Sequence, residues 1–127
     1  MKQVKLIAIL ISIVCTANAQ VCLKTDAGNT EVKLIPINNE TKDVYVLFKG
    51  QSEKVKLKFL KESVKICNEC SHPEVLTSYN EMIDDKLTGG TYTLLYTENQ
   101  YQLTYTRLSD KQNFVFKGPS KTENCTW

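Results

Sequence analysis

Two cysteines separated by two residues, Cys67 and Cys70, stand beside His72 in one short stretch of this chain. That spacing serves three chemistries: thiol-disulfide exchange, zinc binding with Cys125 as a fourth ligand, or a structural crosslink. Exchange wants the pair at the N-terminus of a helix in a βαβ unit, where the helix dipole favours the thiolate. Here the residues upstream read as strand, and the intervening Asn68-Glu69 lacks the glycine and proline usual in a redox pair. His72 is the only histidine, so any histidine-dependent nucleophile or base would have to use it. Glu69 with Glu74, or Asp84 with Asp85, supplies paired carboxylates of the kind glycoside hydrolysis requires, but nothing in the spacing selects one pair. No catalytic residue, metal or cofactor is nominated.

The compartment decides among the cysteine chemistries. Lys2 and Lys5 precede an apolar run from Leu6 to Cys15, and Ala17-Asn18-Ala19 gives the small-x-small pattern cut by a signal peptidase. Residues 1–19 therefore read as a signal peptide and 20–127 as a single β-rich domain. The apolar run is about half the ~20 residues needed to span a bilayer, and no later segment is long enough, so no membrane insertion is expected after cleavage. Of 16 Lys and Arg, Lys2 and Lys5 leave with the leader, so 14 basic residues face 14 acidic ones. A formally neutral domain without an aromatic-basic motif excludes nucleic acid as a partner class. Cleavage also removes Cys15, leaving Cys22, Cys67, Cys70 and Cys125. Four cysteines in an oxidising compartment imply two disulfides, with three pairings open. The pairing expected is Cys22 with Cys125 and Cys67 with Cys70, which makes the CxxC a staple. Asn39 and Asn124 begin glycosylation tripeptides, relevant only in a eukaryotic secretory route.

The elements that position these residues are mostly strands. Val32, Leu34 and Pro36 share one face of an alternating run; so do Val44, Val46 and Phe48, and again Val55, Leu57 and Phe59. Turn residues at Asp26-Ala27-Gly28-Asn29, Asn38-Asn39-Glu40 and Gly50-Gln51-Ser52 separate them. From Pro73 to Asp85 the period changes. Ser71 and Glu74 form a capping-box pattern, and Val75, Leu76, Tyr79, Met82 and Ile83 recur at helical spacing, which predicts one short amphipathic helix. Gly89-Gly90 then breaks the chain before a hairpin, Thr91–Thr97 and Tyr101–Arg107, and a last strand runs Asn113–Lys117. The expected fold is mainly β: a small antiparallel barrel or bent sheet of about eight strands with one short helical insertion.

Lys54, Lys56 and Lys58, with Lys61 and Lys65, form a basic stripe opposite Val55, Leu57 and Phe59. Such a stripe ordinarily marks the solvent face of a half-buried strand and discourages edge-to-edge pairing; its functional reading is an acceptor for an acidic protein or anionic glycan.

Cys22, Gly28, Val32, the stretch Val44 to Leu57, Thr88-Gly89-Gly90-Thr91-Tyr92 and Tyr105-Thr106-Arg107 follow an order that resembles the periplasmic and membrane-bound inhibitors of c-type lysozyme. Those are small exported β-barrels with an early cysteine, a Ser-Gly-x-x-Tyr motif, a strand with Trp-x-Lys-Gly, and a C-terminal cysteine. The resemblance implies that Thr88 and Arg107 pair with the enzyme's catalytic carboxylates while Tyr92 supports the loop and Tyr105 opens the second motif. The chain departs from the pattern at Thr88 for serine, Arg107 for lysine and Leu108 for glycine, and Cys67 to Asp85 has no counterpart in it. The expected function is an exported, non-enzymatic binding module in the periplasm, a lysozyme-inhibitor-like protein. Rival readings are an immunity protein against a delivered toxin, an exported thiol oxidoreductase using Cys67 and Cys70, and a eukaryotic secreted recognition module.

Overall fold

The computed structural model describes residues 20–37, 40–66, 68–69, 73–120 and 125–127. Residues 1–19, Asn39, Cys67, Cys70, Ser71, His72 and Asn124 lie outside the described residues, and with them the expected signal peptide, CxxC disulfide and glycosylation sites. Eight strands follow one another: β1 Val21–Lys24, β2 Glu31–Pro36, β3 Val44–Phe48, β4 Val55–Lys65, β5 Glu74–Ile83, β6 Lys86–Tyr96, β7 Gln100–Thr106 and β8 Asn113–Pro119. Each pairs antiparallel with the next, and β8 returns to β1, closing a barrel in sequence order.

Period-two alternation produces the core directly. Val21, Leu23, Val32, Leu34, Val46, Leu57, Tyr79, Tyr92, Leu103 and Phe116 are buried and form one cluster to which every strand contributes. Eight strands enclose an interior just wide enough for such side chains to fill. Tyr101 and Tyr105, which alternate with Gln102 and Thr104, pack against the same cluster.

The expected helix is a strand. Glu74–Ile83 is β5, paired with β4 on one side and β6 on the other. Val75, Thr77, Tyr79 and Glu81 fall on the inner face, with Leu76, Ser78, Asn80 and Met82 outside. Val75 and Tyr79 are spaced by four, which both periods satisfy, and Leu76 and Met82 add an apolar content to the outer face that mimics a helical stripe. Two flanking ladders decide the matter, because a local capping pattern cannot compete with backbone pairing on both edges. Asp84 and Asp85, expected to end the helix, are instead the two-residue hairpin turn, with φ of 52° and 62° as a type I′ turn requires. Gly89-Gly90 does not interrupt the chain: β6 begins at Lys86 and runs through both.

The β1–β8 seam is the barrel's shortest junction. β1 has four residues, and Lys24 opposite Lys117 is its register pair with β8. Gly118 lies so close to β1 that a Cβ there would overlap the Cys22 carbonyl. The expected Cys22–Cys125 disulfide is present, joining residues 103 apart, with a Cα–Cα distance of 5.8 Å. Lys33 of β2 holds the C-terminal segment beside it, its Nζ donating to the Trp127 carbonyl at 2.7 Å and lying 4.6 Å from the centre of that ring.

Candidate functional site

The β1–β2, β3–β4, β5–β6 and β7–β8 connections all lie at one end of the barrel, since the strands alternate in direction. At that rim β5, β6 and β7 bring Thr88, Tyr92, Tyr105 and Arg107 together around a residue the sequence did not single out, Glu81. Register explains the gathering. Tyr92 pairs with Tyr105 and Tyr79 with Tyr92, so the inner face of β6 carries Thr88, Gly90 and Tyr92 past the inward Glu81 of β5.

Glu81 is half-buried and ringed by hydroxyls. Thr88 Oγ1 donates to Oε1 at 2.7 Å, and Tyr92 Oη donates to Oε2 at 3.4 Å. Tyr105 stands beside the same carboxylate across Gly90. Gly90 makes room for it: a Cβ there would stand 2.8 Å from Glu81 Oε1 and 3.1 Å from the Tyr105 ring. The Gly90 amide donates to Thr88 Oγ1 at 3.1 Å, so the threonine hydroxyl is both donor and acceptor within the cluster. Burial, reinforced by the Glu81 charge, pushes the Tyr92 hydroxyl far above the ordinary tyrosine range, and the same causes raise Tyr105. Both phenols therefore stay protonated and serve as fixed donors.

A ladder of rings runs outward from this floor. Tyr92 stacks on Tyr105 at 4.5 Å between centroids, Tyr105 on Phe114 at 6.0 Å, and the Arg107 guanidinium lies 5.2 Å from the centre of Phe114. Arg107 is further held by Asp110, Nε to Oδ1 at 3.2 Å and Nη2 to Oδ2 at 2.8 Å, and by Gln112 Oε1 at 3.1 Å from Nη2. Those hydrogen bonds pull Asp110 down to about 2 and raise Arg107. The chain matches no known family model, no curated protein and no solved structure. The site must be read from its own geometry.

Five N–H groups radiate from a guanidinium. Nε and Nη2 are committed to Asp110 and Gln112, while Nη1 has no partner among the described residues. A cleft of about 280 Å³ adjoins it, lined by Glu81, Thr88, Gly90, Tyr105, Arg107, Leu108 and Ser109. Leu108 is 52% exposed at its edge and rests on Gly89, whose φ is 92°. The rim thus presents a braced cation beside an apolar side chain and a tyrosine edge. Thr88 differs from its expected role in one respect: its proton is given to Glu81, so it braces the floor and does not point a donor outward.

Glu81 was hidden by the helical reading, whose apolar stripe of Val75, Leu76, Tyr79, Met82 and Ile83 does not include it. Alternation from Tyr79 would have placed it inward, and a glycine pair one strand later was the accompanying signal. The other candidate acids do not converge here: Asp84 and Asp85 are the β5–β6 turn, and Glu74 lies opposite Lys65 at the other end. Among the described residues no cluster of His, Cys, Asp and Glu is arranged to hold a metal ion.

Proposed function

We propose that this chain is an exported binding module that grips another protein at the Arg107 rim, and that the partner is a wall-degrading enzyme of the lysozyme class in the periplasm. One observation carries the reading: Arg107 is braced by Asp110, Gln112 and the face of Phe114, yet keeps the Nη1 edge for an acceptor outside the molecule. A guanidinium already fixed in place loses little entropy when a carboxylate docks, and bidentate or edge-on recognition of acids is what this side chain does best. Leu108 supplies apolar contact next to the charge, and arginine beside tyrosine, here Arg107 with Tyr105, is a pairing of residue types enriched among those that dominate binding. Thr88, Gly90 and Tyr92 act from beneath by holding the Glu81 floor rigid. The mode is stoichiometric occlusion of an acidic cleft, with no chemical step by this chain.

Titration of a c-type lysozyme with the purified domain tests it. Inhibition should saturate near one equivalent, and Arg107→Ala should weaken it by about tenfold or more, the usual cost of losing a central charged contact. Tyr92→Phe, which leaves Arg107 untouched, should change it far less. Full lysozyme activity at a large molar excess of the domain sinks the enzyme assignment.

A further inference from the structure

The lysines of β4, with Lys54 just before it, do not keep a single parity in sequence: Lys54, Lys56 and Lys58 are even, Lys61 and Lys65 odd. In an uninterrupted strand the second group would face the interior, since one residue of slip exchanges the faces. The register of β4 against β5 shifts between Phe59 and Lys61, and Leu60 is the extra residue. That bulge restores the lysines to the outside. Lys58 lies opposite Asn80, Lys61 opposite Ser78 and Lys65 opposite Glu74, and these partners are on the outer face of β5, on either side of the inward Tyr79. All five lysines are exposed, along about 33 Å of strand at 3.3 Å per residue. None forms an ion pair with another described residue; the Lys54 ammonium lies over the Tyr45 ring at 4.9 Å. Acids flank both ends of the row. Glu53, Asp84 and Asp85 line a cleft with Lys54 and Lys56, and Glu74 faces Lys65, while at the centre, around Lys58 and Lys61, the nearby Asp43 carboxylate is engaged by the Phe59 amide at 2.8 Å.

The wall beside that centre is polar and suited to hydroxyl-rich ligands. Asn80 pairs with Thr91 and Ser78 with Thr93 across to β6, and Thr91 and Thr93 continue to Thr106 and Thr104 on β7. We infer that this wall is a binding surface for a linear anionic polysaccharide, whose carboxylate or phosphate groups lie along Lys56, Lys58 and Lys61 while its hydroxyls bond Ser78, Asn80, Thr91 and Thr93. Leu60, 53% exposed, interrupts the lysines at the bulge, but a membrane would need a continuous apolar face, and the partners beside Lys58 and Lys61 are Asn80 and Ser78, backed by Thr91 and Thr93. An acidic protein would find charge but, apart from Leu60, only the small polar side chains Ser78, Asn80, Thr91 and Thr93 beside it. The surface is separate from the Arg107 rim and does not rest on the function proposed for it.

Polygalacturonate, with one carboxylate per sugar, is a suitable probe, compared with neutral dextran, poly-L-glutamate and phosphatidylglycerol vesicles near physiological ionic strength. The domain should retain polygalacturonate more tightly than poly-L-glutamate and leave dextran and vesicles unbound. Lys58→Gln with Lys61→Gln should weaken polygalacturonate binding about tenfold, whereas Lys24→Gln with Lys111→Gln, removing the same charge elsewhere, should change it less than about twofold. The exchange Lys61→Glu with Glu62→Lys keeps composition and net charge but moves one cation across the strand, and it should weaken binding about as much. Circular dichroism and unfolding confirm that each variant is folded. Equal loss in both double-glutamine variants, no loss in the exchange, equal or tighter retention of poly-L-glutamate, binding to vesicles or absence of polygalacturonate binding would each overturn the inference. Lysozyme inhibition by the lysine variants should match the parent, so the two surfaces fail or succeed independently.

Discussion

The barrel is held shut in two unlike ways on its opposite sides. Between β4, β5 and β6 the strands run ten or eleven residues and pair along nearly their whole length, absorbing a bulge in each ladder. At the β1–β8 seam a four-residue strand meets its neighbour through a close glycine contact, and the Cys22–Cys125 bond ties the chain ends across it. Long ladders tolerate local irregularity because the remaining pairs preserve the register. A short seam has no such reserve, so its strength comes from covalent closure and tight backbone approach. The irregular wall is also where both candidate surfaces lie: the Glu81 floor follows one register shift, and the lysine row depends on the other.

The contrast is broken most severely at the disulfide. Cys22→Ser with Cys125→Ser should cost on the order of 4–5 kcal/mol in denaturant unfolding, since the crosslink closes a loop of about a hundred residues in the unfolded chain. Reducing agent should have the same effect on the parent and little further effect on the variant. Gly118→Ala comes next. The added methyl meets the Cys22 backbone and the Leu23 side chain, and the seam must open to admit it, at about 2–3 kcal/mol; alanine at Gly28, where a Cβ meets nothing within 4 Å and only the φ of 75° opposes it, should cost about 1 kcal/mol, and an equally small loss at Gly118 would show that the seam is not tight.

The smallest effect sharpens the long wall. Burial, with Glu62 and neighbouring groups adding to it, pushes the Tyr79 hydroxyl up to about 12. Its folded value exceeds the unfolded value near 10, so its contribution is complete below pH 10 and is lost as pH rises through 12. By pH 11 the domain should have lost about 1 kcal/mol through this one group, and Tyr79→Phe should flatten that part of the alkaline stability curve. An unchanged slope in the variant would mean that the wall opens before the phenol titrates.

Legibility followed the same division. Strands β2, β4 and β7 were readable because Val32 and Leu34 flank Lys33, Leu57 lies between Lys56 and Lys58, and Leu103 lies between Gln102 and Thr104, and β3 because its run is β-branched and aromatic with Val44, Val46 and Phe48 on one face. The Cys22–Cys125 bond was the expected one of three pairings that counting left open, and the pairing itself needed the structure. β5 was not, because Val75, Leu76, Tyr79 and Met82 put apolar side chains on both faces, and period-two and helical spacing then coincide. Leu60 and the turn from Glu81 to Gly90 shift parity, and parity is the only local clue to which side a residue faces. The basic stripe was legible, but why Lys61 and Lys65 share a side with Lys54, Lys56 and Lys58 despite their parity follows from the bulge, and Glu81 was missed because its strand reads locally as a helix. Thr88, Tyr92, Tyr105 and Arg107 were picked out by order along the chain, whereas their common neighbour depends on three strands meeting.

Trp127, the only tryptophan in the chain, lies beneath the Lys33 ammonium next to the Cys22–Cys125 bond. Its fluorescence therefore reports one place. Emission intensity and wavelength follow the chain end lifting away from β2, whereas far-ultraviolet dichroism follows the strands as a whole. The molecule thus carries a built-in optical probe that separates fraying of its weakest junction from loss of the barrel.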